Sequence, residues 1–172
     1  ARADWIGGQV AVPTARVLLD GDTGEPMLLQ TDLALPDLVT RLQSGGWSPA
    51  DRPWIAEVAD SVLPTRGDLG PLAPWPLAHL GQRPVATLTQ EIAGTPASRR
   101  VLRVWDSGTG IAGPDQRTVL LLSATTEALD PLGAGFFMLE SEAGTSLEPA
   151  LLAQGGLRTL PVAGLPPILL AD

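Results

Sequence analysis

Hydrophobic positions change their period along this chain, and each period predicts a different element. Leu35, Leu38, Val39 and Leu42 recur at i, i+3, i+4 and i+7, the spacing of one buried helical stripe. Pro36 suits the first helical turn, and Gly45-Gly46 suits its end. Trp47 follows at once and is expected to pack back on that end. A second helix is expected after Asp51, with Trp54, Val58 and Val62 on one face, Ile55 and Leu63 beside it, and Pro64 as its stop. From Val85 the period shortens. Residues 85–92, 100–105, 119–125 and 136–139 read as strands, and the almost unbroken apolar run over 119–125 predicts a central one.

Other segments carry weaker patterns. Residues 1–14 are loop-like. Residues 16–19 and 27–31 read as two strands of a hairpin around the turn formers of Asp20-Gly21-Asp22-Thr23-Gly24-Glu25. Residues 64–84 hold five prolines, yet Leu69, Leu72, Trp75, Leu77 and Leu80 make them too apolar for a flexible linker. An ordered loop lying over the core is expected there. Ser146 is placed to cap a short helix over 147–154, stopped by Gly155-Gly156. Residues 160–170 contain three prolines and are expected to give an edge strand at most. The sum is an α+β fold in one domain: a mostly antiparallel sheet with two or three helices packed on it.

Composition narrows the function classes. The 172 residues are 44% hydrophobic and 17% charged, a globular composition with enough chain for a sizeable core. The chain has 11 arginines, no lysine and 19 acidic residues, for a net charge of -8, which argues against nucleic acid as a partner. Without cysteine there is no disulfide, thiolate nucleophile or zinc–cysteine site. No apolar run is long enough to span a bilayer as a helix. The chain starts at Ala1, as a processed chain or a piece of a longer protein would.

Several motifs point to chemistry, and each has a plainer reading beside it. Gly108-Thr109-Gly110-Ile111-Ala112-Gly113 fits the dinucleotide pattern G-x-G-x-x-G. However, Pro114-Asp115-Gln116-Arg117 leads straight into the next strand. That leaves no room for a crossover helix and favours a hairpin loop. The Asp20–Glu25 stretch begins like a calcium loop but has Gly24 at the third ligand position and Glu25 where glycine is needed, so a solvated turn is favoured. No metal site and no cofactor are expected.

His79 is the sole imidazole and therefore the only candidate for a catalytic base, against the plainer role of a histidine bonded to backbone. Arg103, with Trp105, Asp106 and Arg100 in the same strand, is a candidate ligand-binding set, since a planar guanidinium fork suits an anion. The alternative for Arg103 is an internal ion pair with Glu91, Asp106 or Glu127. The five tryptophans are expected to be core and loop-packing residues, and Glu140 and Glu142 a solvated strand end.

Gln30, the helix end Leu42-Gln43-Ser44-Gly45-Gly46-Trp47, Leu63-Pro64, His79-Leu80-Gly81 and Arg100-Val101-Leu102-Arg103-Val104-Trp105 stand in an order that resembles the LssY C-terminal domain family. The resemblance covers residues 5–127, with 128–172 as an extension of the same domain. Gln30-Thr31-Asp32 stands where the family has Gln-Trp-Ala, and Leu120 or Leu121 stands in place of an aromatic. Such domains lie behind multi-span membrane regions of the DedA kind or of bacterial type-2 phosphatidic acid phosphatases. The resemblance therefore implies an extracytoplasmic or membrane-adjacent accessory domain. It would bind a head group, an envelope component or a partner protein, and any phosphatase activity would belong to the membrane portion. Two other classes stay open: a hydrolase of a phosphoester or acyl ester using His79, and a structural or oligomerisation module.

Overall fold

In chain order the elements of the computed structural model are α1 (Arg2–Ile6), β1 (Ala15–Val17), β2 (Thr23–Pro26), β3 (Leu29–Thr31), α2 (Leu35–Ser44), β4 (Ser48–Pro49), α3 (Trp54–Val62), β5 (Ala86–Glu91), β6 (Ser98–Ile111), β7 (Arg117–Gly133), β8 (Phe136–Ala143), β9 (Leu157–Leu160) and β10 (Ile168–Ala171). The structure describes residues 1–63, 67–94, 97–113, 116–144, 147 and 152–172, without the side chains of Trp54 and Ser61. β1 and β2 form a small ribbon of their own. The remaining strands make one sheet in the order β4-β5-β6-β7-β3-β10-β9, and β8 also pairs with β7. All pairings in that sheet are antiparallel except β3 with β10. The fold is α+β in a single domain.

The long β6–β7 ladder organises the rest, and strand alternation gives its two faces different neighbours. Leu102 and Val104 of β6 and Leu120, Leu122 and Ala124 of β7 share one face. On it they meet Leu38 and Leu42 of α2, Trp47, and Ala86 and Leu88 of β5. α2 is the helix that the periodicity predicts. Pro36 lies in its first turn, and the Trp47 N–H bonds to the Leu42 carbonyl as the chain turns back past Gly45 and Gly46. On the other face Trp105, Val119 and Leu121 meet Trp5 of α1, Met27 and Ile168. A third apolar cluster, Leu69, Leu129 and Leu139, closes the far end of the ladder. Between these last two clusters the same face turns polar.

Several expectations need correction. The partner of β1 is Thr23–Pro26, not the segment holding Leu29, Gln30 and Thr31. Those three residues enter the main sheet between β7 and β10. A two-strand hairpin would have left Leu29 half-exposed, whereas β3 buries Leu29, Gln30 and Thr31 completely. Second, Ile168–Ala171 is an interior strand with β3 on one side and β9 on the other. Its prolines, Pro166 and Pro167, precede the strand, so none of them interrupts its ladder. Third, α3 forms where expected, but Ile55, Val58, Val62 and Leu63 are exposed. The helix instead buries Glu57, which accepts a bond from Arg83. The Ser146 cap and most of the helix expected after it lie outside the described residues.

Residues 1–14, expected to be loop-like, begin with the helix α1, and the remaining turn and loop expectations are met in part. β6 and β7 pair antiparallel, so the glycine motif runs into a hairpin tip with no crossover. At the Asp20 turn, Asp20 Oδ1 accepts the Asp22 N–H, but Thr23, Gly24 and Glu25 belong to β2 and Glu25 is buried. Leu69, Ala73 and His79 of the loop spanning 67–84 are buried against the sheet.

Candidate functional site

The polar stretch of the ladder follows directly from alternation. On β6 the face carries Arg99, Val101, Arg103 and Trp105, and the residues opposite them on β7 are Glu127, Thr125, Ser123 and Leu121. All eight are buried. The proline-rich loop 67–84 lies over them, and its carbonyls complete their bonds. Arg99 gives Nε and Nη2 to Glu127 Oε2 at 3.0 and 2.8 Å, and Nη1 to the carbonyls of Leu69 and Leu72. Arg103 gives Nη1 to Thr125 Oγ1 at 2.6 Å and Nη2 to the Trp75 carbonyl and Glu127 Oε1 at 2.6 and 3.1 Å. Glu127 Oε1 also accepts the Trp75 N–H at 2.7 Å. One carboxylate thus holds two guanidiniums and the loop.

A second cluster adjoins the first. The Trp105 indole donates to Ser123 Oγ at 2.9 Å, and Ser123 Oγ donates to Glu25 Oε1 at 3.3 Å. Glu25 Oε2 accepts from Arg16 Nε at 2.6 Å, and Arg16 Nη1 reaches the Ala78 carbonyl at 2.8 Å. His79 stands edge-on to Trp105, with ring centroids 5.9 Å apart. Its Nδ1 accepts the Val17 N–H at 3.0 Å, and its Nε2 is buried with no partner among the described residues. In a neutral ring that geometry puts the proton on Nε2. Burial, helped by the nearby Arg16 charge, lowers the His79 pKa, and Glu25 opposes the shift. Burial likewise lowers the Arg103 pKa, against the pull of Glu127.

The structure brings only part of the expected set together. Arg103 and Trp105 share the buried face with His79. Arg103 pairs with Glu127, one of the three partners considered for it. Arg100 lies on the opposite face, opposite Gln90 and Thr126. Asp106 is exposed, and its Oδ1 accepts the Gly108 N–H in a local turn. Sequence reasoning missed Arg99, Arg16, Glu25 and Ser123 as members of the cluster. The i, i+2 spacing of Ser123, Thr125 and Glu127 on β7 was the one available signal. Among the described residues no three acidic or histidine side chains are grouped to hold a metal. No helix of the described chain is long and apolar enough to cross a membrane. Neither family models, curated proteins nor solved structures provide a match to this chain.

Proposed function

We propose that this chain is a non-catalytic accessory domain, extracytoplasmic or membrane-adjacent, of a bacterial membrane protein of the lipid phosphatase or DedA kind. In this reading it serves by binding a head group, an envelope component or a partner protein. The observation that supports the non-catalytic half is that the buried guanidiniums, and the one acceptor nitrogen of His79, are spent on groups of the chain itself. A general base needs a lone pair within reach of a substrate proton. The available lone pair of His79 is on Nδ1, and the Val17 N–H occupies it. An anion clamp needs guanidinium edges that face a ligand, and those of Arg99 and Arg103 face Glu127 and loop carbonyls. The membrane half rests on the LssY-like residue order. Gln30, Trp47, His79, Arg103 and Trp105 of that pattern occupy buried packing positions in this fold.

A panel of phosphomonoesters, phosphodiesters and acyl esters, tested with the unmodified protein and with His79→Ala, examines the first half. Neither protein is expected to turn any of them over. Turnover that disappears in His79→Ala would establish the hydrolase instead. The native reading frame tests the second half: membrane-spanning segments encoded with this domain are expected, and a gene without them overturns it.

A further inference from the structure

A cavity of about 570 Å³ opens where the loop after α3 passes over the β4 end of the sheet. Register sets one wall of it. Ser48 stands opposite Thr89, and Glu91 stands opposite Arg99, so these four side chains share one face of β4, β5 and β6. Gly67, Asp68, Leu69 and Gly70 of the loop form another wall. That wall is held firmly. Arg99 Nη1 donates to the Leu69 and Leu72 carbonyls at 3.1 and 2.8 Å, and Asp68 Oδ1 accepts the Gly70 N–H at 3.1 Å. Gly67 takes a left-handed φ of +87, and a Cβ there would lie 2.9 Å from the Phe137 ring.

The polar side chains around this space are available to a ligand. Among the described residues, the Glu91 carboxylate and the Ser48 and Thr89 hydroxyls have no partner, and Asp68 Oδ2 has none either. Arg99 is the one cation of the described lining. It is 5% exposed, and its bonds go to Glu127 and the loop carbonyls. Two carboxylates with no available cation suit a positive group. Two hydroxyls, each both donor and acceptor, suit further hydroxyls. Leu69 is the only apolar side chain of the described lining and is itself buried, which leaves no surface for an acyl chain. A metal ion does not fit, because it needs oxygens converging to within about 2.6 Å. No three acidic or histidine side chains are so grouped among the described residues. A cavity of this size takes a small organic molecule, and walls already held in place lose little freedom when it enters.

We propose that this cavity binds an amino sugar, with the ammonium group on the carboxylates of Asp68 and Glu91 and ring hydroxyls on Ser48 and Thr89. This rests on the reading of the chain as a binding domain and names the class of envelope component.

Calorimetric titration of the full chain with glucosamine, N-acetylglucosamine and n-hexylamine tests it. Glucosamine is expected to bind one-to-one and to weaken as salt is raised. N-acetylglucosamine keeps the ring but loses the charge, and is expected to bind about tenfold more weakly. Hexylamine keeps the charge but lacks the hydroxyls, and is also expected to bind about tenfold more weakly. Two variants locate the site. Glu91→Gln removes an exposed carboxylate that holds nothing in the fold. It is expected to weaken glucosamine about tenfold with an unchanged melting temperature. Glu140→Gln makes the same change of net charge on β8, outside the cavity, and is expected to leave binding unaltered. No binding of glucosamine, equal binding of either comparison ligand, or equal weakening in the two variants overturns the proposal.

A β-1,4-linked glucosamine trimer assigns the source of the sugar. Binding at least about tenfold tighter than the monomer indicates a polysaccharide, and equal binding indicates a free sugar. Failure of glucosamine to bind overturns this site alone. Turnover of the ester panel, or a gene without membrane spans, overturns the accessory-domain reading whether or not glucosamine binds.

Discussion

Arg103 Nη2 lies 3.1 Å from Glu127 Oε1, and the two side chains are 1% and 0% exposed. Arg99 shares the same carboxylate, so two buried guanidiniums depend on one counter-charge. Removing Glu127 and removing Arg103 are therefore unequal changes. Glu127→Ala leaves both cations uncompensated inside the protein and frees the Trp75 N–H. A loss of about 3–5 kcal/mol of stability is expected. Arg103→Met, an apolar replacement of similar length, leaves Glu127 with Arg99 and is expected to cost clearly less. Urea denaturation of the two variants checks the order, and equal costs would show that the shared carboxylate is not the hub.

Gln30 links three distant parts of the chain. Its Oε1 accepts the Trp5 indole N–H at 2.6 Å, and its Nε2 donates to the Pro166 carbonyl at 2.7 Å. Gln30→Leu keeps the volume but leaves a buried donor and a buried acceptor unmet. The expected cost is about 2–6 kcal/mol, from roughly 1–3 for each of the two stranded groups. The tryptophan emission of the folded variant is expected to shift as the α1 anchor loosens. A cost below about 1 kcal/mol would mean that water replaces both partners.

Local chemistry was legible and long-range pairing was not. The period of Leu35, Leu38 and Leu42 marks α2 because a helix buries one stripe whatever it packs on. The short link from Gly113 to Arg117 excludes a crossover for steric reasons that need no partner. The fate of Arg103 was narrowed to three carboxylates because burying a guanidinium without a counter-charge is costly. By contrast, β3 is three residues long and takes its place from β7 and β10, about 90 and 140 positions away, respectively. Glu25 looked like a turn residue because, besides Arg16, the group it meets in the core is Ser123, 98 positions distant. α3 hid its buried side for the same reason: Glu57 takes its bond from Arg83, 26 positions on at the end of the loop. The bond from Arg2 to Asp32 ties α1 to the end of β3 across 30 positions, which no periodicity connects.

Gly155 marks where the C-terminal segment crosses α2. A Cβ at this position would sit 2.4 Å from the Arg41 carbonyl oxygen, a backbone atom that cannot rotate away. Arg41 meanwhile reaches back to the Gly156 carbonyl at 3.1 Å. Gly155→Ala is expected to push the segment off the helix and cost roughly 1–3 kcal/mol, within the usual range for overpacking. Gly94→Ala, in open space but at φ +77, tests backbone strain without this clash. Thermal melts of both separate steric crowding from conformational cost.

His79 gives the fold a dependence on pH whose sign follows from its surroundings. Its ordinary value is 6.5, and in the folded state burial and the Arg16 charge hold it lower. As pH falls through about 6.5, the unfolded chain takes up a proton that the folded chain resists. The unfolded state then binds more protons, so stability declines on acidification and levels off once pH is below the folded value. Above about pH 7.5 this residue adds no slope. The steepest contribution is about 1.4 kcal/mol per pH unit, the limit for one proton. Protonation also costs the bond from the Val17 N–H, since a protonated Nδ1 cannot accept it. His79→Asn keeps an acceptor near Val17 and cannot titrate. Urea unfolding at pH 7.5, 6.5 and 5.5 is expected to show a fall in the unmodified protein and a flatter profile in His79→Asn. Carboxylates contribute equally to both proteins, so the difference isolates the imidazole. Parallel profiles would mean that His79 is protonated as readily folded as unfolded, which its sealed position does not allow.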